Sequence, residues 1–168
     1  MKKTVLALLL ATSLATAGSL VQLGAGYAKG DNSGDMATGF IGVDVISAIG
    51  LRLEYTKNFS EHSEFTKEDI SRYGLFATYT IPLISGLSVT PKAGLTKTDG
   101  EFETVDTIKT LSDSSTEFTY GLEINYELNR MVSLFLGYTD YGNELDIKDI
   151  DTSKMDTANY TFGIKIDI

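Results

Sequence analysis

The sequence contains no cysteine and no tryptophan, and only one histidine and two prolines in 168 residues. An exported chain without disulfides must hold itself together by a packed core or by a closed hydrogen-bond ladder. The missing cysteine also excludes lipoprotein-type acylation. With no tryptophan, anchoring at a membrane–water interface falls to tyrosine. After the first few residues, no stretch approaches the roughly 20 apolar residues of a spanning helix, so any membrane insertion must be by strands. Basic residues are also scarce: 14 Lys and Arg stand against 23 Asp and Glu, a net charge of −9. That balance argues against nucleic-acid binding, because phosphates require basic surface.

What the chain does have begins with an export signal. Lys2 and Lys3 form a positive end, residues 5–11 an apolar run, and Ala15, Thr16 and Ala17 a small-residue cleavage site. The run is about half the length of a spanning helix, which favours a signal peptide over 1–17. Cleavage after Ala17 gives a mature chain of 151 residues, 18–168. Losing Lys2 and Lys3 takes its charge from −9 to −11. By length it is one domain.

Apolar and polar residues then alternate in eight segments. Val21, Leu23, Ala25 and Tyr27 are separated by Gln22, Gly24 and Gly26, and the last segment carries Tyr160, Phe162, Ile164, Ile166 and Ile168. A period of two puts all the apolar side chains on one face of a strand. The pattern predicts strands near 19–29, 38–46, 49–57, 71–81, 87–98, 116–127, 132–141 and 157–168. The connections near 47–48, 82–86 and 128–131 are short, and those near 30–37, 58–70, 99–115 and 142–156 are long. Loops sorted in this way predict an all-β fold, an eight-stranded antiparallel transmembrane β-barrel with short periplasmic turns and long extracellular loops.

The polar set contains Gly24, Gly42, Gly74, Gly94, Gly121, Gly137 and Gly163. Small residues suit the crowded interior of an eight-stranded barrel, so the polar set faces the lumen. On the apolar set, Tyr27, Tyr55, Tyr73, Tyr120, Tyr138 and Tyr160 lie near the long-loop ends, and Tyr79 and Tyr126 near the short turns. Two such belts around a Leu/Ile/Val band suit a lipid-facing surface, since the ring is apolar and the hydroxyl reaches the headgroups. Phe40, Phe76 and Phe135 fall on the lumen parity and must pack over glycines or mark bulges. Pro91 predicts a bulge or a late strand start, because it has no N–H to donate. Segment 38–46 alternates least clearly.

The lumen parity also carries Asp44, Arg52, Glu54, Arg72, Lys92, Glu117, Glu123, Lys165 and Asp167. Charges in a narrow, low-dielectric interior must pair. The expected pairs are Lys92 with Glu123 and Asp44 with Arg52. A paired lumen is a plug, and an eight-stranded barrel leaves little room for water beside it. The alternative is a gated pore.

Catalytic material is thin. Glu101 with Glu103 and Asp149 with Asp151 are loop carboxylates with nothing nearby to tune them, and His62 lies in a long loop beside Ser60 and Ser63. A hydrolase or acyltransferase needs a nucleophile and base held at a fixed geometry. Residues 146–151 offer oxygen ligands but lack the glycine turn and closing glutamate of an EF-hand. Neither an enzyme, a cofactor nor a protein metal site is expected. The acidic loops instead suit divalent cations bridged to lipopolysaccharide phosphates.

Two stretches resemble the outer-membrane β-barrel domain family of OmpX-like and opacity-like proteins. GLSVTPKAGLTKTDGE, 86–101, looks like that family's proline-containing fifth strand with a glycine near its outer end. FTYGLEINYELNRMVSLFLGYTDYG, 118–142, looks like its sixth and seventh strands, joined by a short turn and closed by an aromatic pair. Members often end in Phe, whereas this chain ends in Ile168. The resemblance implies the barrel-assembly machinery and periplasmic chaperones as transient partners. The expected role is structural and surface-interacting, in envelope integrity or adhesion, by a monomer in contact with outer-membrane lipid and lipopolysaccharide. A narrow pore for small solutes is the alternative, and a lipid-modifying enzyme a more distant one.

Overall fold

Every one of the eight alternating segments forms strand in the computed structural model, which describes residues 21–30, 34–46, 48–59, 67–103, 110–142 and 158–168. The strands are β1 Val21–Gly30, β2 Gly34–Ile46, β3 Ile49–Asn58, β4 Lys67–Tyr79 and β5 Ile81–Pro82. They continue with β6 Leu87–Glu103, β7 Thr110–Asn129, β8 Val132–Asp140 and β9 Ala158–Asp167. All pairings are antiparallel. β1 pairs with β9, and the opposite ends of the sheet meet where β4 pairs with β6, so the sheet closes. β4 and β5 are one barrel strand interrupted at Thr80, which makes the barrel eight-stranded. Closure matters physically, because a strand edge left open in lipid would strand its N–H and C=O groups.

The interruption at Thr80 lies beside Pro91, and it differs from what the sequence suggests. β6 starts at Leu87, before the proline, and its register against β4 and β5 is unchanged across the gap, with Thr78 opposite Lys92 and Ile81 opposite Val89. There is neither bulge nor late start. The ladder simply lapses where proline has no donor, while on the other side of the strand Thr80 N–H donates to Ala48 O at 2.8 Å and continues the β3–β4 register. The register shifts occur instead between Asp44 and Ile46 and between Glu127 and Asn129. The first falls in the segment with the weakest alternation.

The strands also run further outward than the alternation indicates. The connection read at 30–37 shortens to 31–33, since Gly30 pairs with Gly34, whose φ of 67° a side chain would resist. β4 begins at Lys67, and β6 and β7 pair continuously from Leu87–Tyr126 to Glu103–Thr110, taking up most of the segment read as a loop over 99–115. The hydrophobic alternation of the sequence does not mark this extension. The export signal, His62 and the acidic run 146–151 lie outside the described residues.

Leu23, Leu51, Leu53, Leu75, Leu95, Leu122, Leu136 and Ile164 are exposed on the outer face. The lumen is filled by threonines, charged residues and three phenylalanines. A Cβ on Gly24 would come within 2.1 Å of the Phe40 ring, one on Gly74 within 2.3 Å of Phe76, and one on Gly163 within 2.7 Å of Phe135. Each lumen glycine of this set is the seat of an aromatic ring.

Candidate functional site

The middle of the lumen holds four charges from three strands. Arg52 and Glu54 come from β3, Lys92 from β6 and Glu123 from β7. Arg52 Nη1 donates to Glu123 Oε1. Lys92 Nζ lies 2.7 Å from Glu54 Oε2 and 3.8 Å from Glu123 Oε1. Alternation along each strand points all four inward, and closure through the β4–β6 pairing brings β3 within reach of β7 across the lumen. The phenylalanines complete the packing: the Arg52 guanidinium lies 3.9 Å over the Phe40 ring and Lys92 Nζ 4.9 Å over Phe76. Phe40 and Phe135 meet edge to face at 5.6 Å. Two cations and two carboxylates cancel, and the ring faces add electrostatic attraction to both cations. The cavity beside Glu54, Lys92 and Glu123 measures about 10 Å³, close to the smallest space that holds one water.

The pairing differs in part from the sequence expectation. Lys92 does reach Glu123, but its shorter contact is with Glu54. The expected Asp44–Arg52 pair gives way to another arrangement: Arg52 turns to Glu123, and Asp44 accepts from Gln22 Nε2 at 3.2 and 3.3 Å. In register Asp44 stands opposite Gly50 while Arg52 stands opposite Gly42, so the two are diagonal. A long guanidinium reaches across a narrow lumen more readily than along its wall. Lys165 and Asp167 lie with Asp44 toward the short-turn end, and Glu117 sits half-buried near the outer mouth, on the same side of the wall as Thr119.

Arg72 belongs to a second group, nearer the outside. Its guanidinium stacks 4.4 Å from the ring of Tyr141, which is buried just beyond the end of β8. Met36 Sδ lies 3.5 Å from Arg72 Nη1. With its amide turned to suit its neighbours, Asn159 accepts from Arg72 Nη1 and donates to Ala158 O, each at 3.0 Å. In the sequence Tyr141 reads as half of an aromatic pair that ends a strand. Its parity, three residues from outward-facing Tyr138, is that of the lumen, and this was the available signal. Met36 and Asn159 carry no comparable signal.

The eight belt tyrosines all lie on the outer face. Tyr27, Tyr55, Tyr73, Tyr120 and Tyr160 are exposed toward the long-loop end, and Tyr138 is partly covered. Tyr55 and Tyr73 lie 4.9 Å apart across β3 and β4, and Tyr138 and Tyr160 5.4 Å apart across β8 and β9. Tyr27 donates to Asp35, and Tyr120 to Asp140 at 2.8 Å. Tyr79 and Tyr126 face outward at the other end, and exposed Ile81, Leu83, Ile84, Leu128 and Met131 continue the apolar surface beyond them. At this end the barrel opens into a vestibule of about 340 Å³.

Solved barrels share this architecture. The N-terminal β-barrel domain of Pseudomonas aeruginosa OprF superposes with a TM-score of 0.69 at 17% identity, over 89% of this chain and 97% of that one. Neisserial surface protein A gives a TM-score of 0.59 at 20% identity, covering 89% and 96%. Ail of Yersinia pestis, solved with the heparin analogue sucrose octasulfate, gives 0.58 at 12%, covering 89% and 97%. No curated protein matches in sequence. The resemblance carried by 86–101 and 118–142 is borne out by a family model that matches residues 4–166, and the chain belongs to the outer membrane protein beta-barrel domain family, a barrel of the outer membrane.

Proposed function

We propose that this barrel is a closed, non-catalytic scaffold that displays its outer hairpins at the cell surface, in a structural or adhesive role. The observation that supports it is the filled lumen. Its four central charges neutralise one another, and the space left beside them is about 10 Å³. The shape of the outer side supports it too. Beyond the last pair with β8, Tyr120 with Asp140, β7 continues from Thr119 back to Thr110. That is about 33 Å of strand. Residues 99–117 hold Asp99, Glu101, Glu103, Asp106, Asp113 and Glu117 against Lys109. Ail is solved with a polyanion, but the charge here directs this chain toward cationic partners, or toward lipopolysaccharide phosphates bridged by divalent cations.

The test is to replace 100–113 with an Asn-Gly turn, which leaves the Asp99–Ser114 pair to close the hairpin. Outer-membrane insertion should persist, while adhesion or divalent-dependent association with lipopolysaccharide falls. Full surface interaction without this segment contradicts the proposal. A narrow pore is the second reading, favoured by the 340 Å³ vestibule. It requires Arg52 and Lys92 to part from their carboxylates.

A further inference from the structure

The apolar band on the outer wall has a sharp limit at one end and not at the other. Toward the long loops it stops at the tyrosines. Lys29 and Lys57 stand exposed two residues beyond Tyr27 and Tyr55, Lys97 is opposite Tyr73, and Asp140 is opposite Tyr120. No such stop follows Tyr79 and Tyr126 at the short-turn end. Among the described residues, every outward position from the outer tyrosines down to the short turns is uncharged. The rim at that end carries Ile46, Leu83, Ile84, Leu128, Met131 and Ile168, each more than half exposed.

Height decides where the lipid ends. Tyr73 and Tyr79 are six residues apart, as are Tyr120 and Tyr126. Six residues make about 20 Å of strand and, at the tilt of about 40° usual in such barrels, about 15 Å of height. An outer-membrane barrel presents an apolar band of about 25 Å. A boundary at Tyr79 and Tyr126 therefore falls about 10 Å short and leaves the apolar rim in water, at a cost proportional to its area. Counting on from Tyr120 to Leu128 raises the height to about 20 Å, and the turn beyond it closes most of the remaining gap.

We infer that the periplasmic leaflet covers the short turns themselves, with the lipid boundary at Leu83, Ile84, Leu128 and Met131. The occupant of this rim is the acyl region of phospholipid, continuous with the lipid around the rest of the wall. Tyr79 and Tyr126 then lie inside the apolar layer. Tyr126 stands about 5 Å above Leu128, a span that a phenol ring can cross to keep its hydroxyl among the headgroups. Arg130, exposed in the β7–β8 turn, and the polar vestibule come to lie at the level of the lipid phosphates.

The chain has no tryptophan, so single substitutions report position without background. Leu128→Trp and Leu83→Trp, one from each of two hairpins, would be made in the full mature chain. Each is refolded into dimyristoyl phosphatidylcholine vesicles, with heat-modifiable gel mobility as the check on closure. The bilayer is thin so that its own thickness does not draw the rim in. Emission is read with lipids brominated along the acyl chain, and separately with iodide equilibrated on both sides of the membrane. Each tryptophan should emit to the blue of the urea-unfolded chain, lose intensity to bromolipid, and be quenched several-fold less by iodide than when unfolded. If one variant fails to fold, the other gives the same reading. Iodide quenching as strong as in the unfolded chain, or no loss to bromolipid, in either folded variant overturns the inference. The boundary is then at Tyr79 and Tyr126, and the rim is free for a protein partner in the periplasm.

Discussion

Arg52 and Glu123 meet across the lumen from β3 and β7, with β4 and β6 between them along the wall. Neither is exposed by more than a few per cent. The contact therefore acts as a spoke: it joins parts of the barrel that no backbone ladder connects, and it neutralises two charges that could not remain there singly. Lys92 bridges the same carboxylate to Glu54, so the loss of one member leaves the others unbalanced.

Removing one end of this spoke should be far worse than removing both. Arg52→Ala should cost about 3–5 kcal/mol, because Glu123 is left buried with only the distant Lys92. Replacing Arg52 with Met and Glu123 with Leu together should recover most of that loss, since an apolar pair of similar volume needs no desolvation. Urea unfolding in lipid vesicles measures both. Equal losses in the single and double variants would show that packing, not charge, holds this level.

The exposed Lys97–Asp99 contact offers the opposite case. Its Nζ–Oδ1 distance is 2.6 Å, but both side chains are about half exposed. Lys97→Ala should change stability by less than about 1 kcal/mol, and added salt should weaken even that. A loss as large as that of Arg52→Ala would contradict a buried origin for the barrel's electrostatic stability.

Glycines should separate into two kinds. A Cβ on Gly94 would lie 1.9 Å from Leu75 O, a backbone atom that cannot swing away, whereas one on Gly39 meets nothing closer than 3.8 Å. Gly94→Ala should destabilise by about 3 kcal/mol or more, the upper range of overpacking. Gly39→Ala should fold normally. Gly24→Ala is intermediate: its obstacle is the Phe40 ring, and Phe40→Leu should partly rescue it. Gel mobility before and after heating reports each outcome, and a heat-modifiable Gly94→Ala barrel at normal yield would contradict the strand spacing.

Tyr141 should act through its ring. Tyr141→Ala removes a fully packed aromatic and the cover of Arg72, and should cost about 3–5 kcal/mol. Tyr141→Phe keeps the stack on Arg72 and should cost about 1 kcal/mol. The same urea titration checks both. If the two variants lose equally, the hydroxyl rather than the stack is what matters.

The wall of the barrel was legible because lipid on one side and a packed lumen on the other impose a strict period of two. Leu51, Arg52, Leu53 and Glu54 state their facing without ambiguity. Legibility ends where that constraint ends. Residues 99–103 and 110–115 pair as strands beyond the segments that the alternation marks, and nothing in their composition announces it. Pro91 misleads because its effect falls on the neighbouring strand. Inside the lumen, parity places Arg52, Glu54, Lys92 and Glu123 in one space, but the choice of partner depends on which strands closure sets opposite one another. That relation is set by register around the whole barrel and is not local to any segment.

Planar-bilayer conductance of the purified, refolded protein tests the closed lumen most directly. With Arg52, Lys92, Glu54 and Glu123 mutually paired and about 10 Å³ left beside them, the native barrel should give no steady ionic current. Variants that unpair the cluster, such as Glu123→Ala, should leak if they fold. A stable, ohmic conductance from the unaltered protein would contradict the closed scaffold and establish the pore.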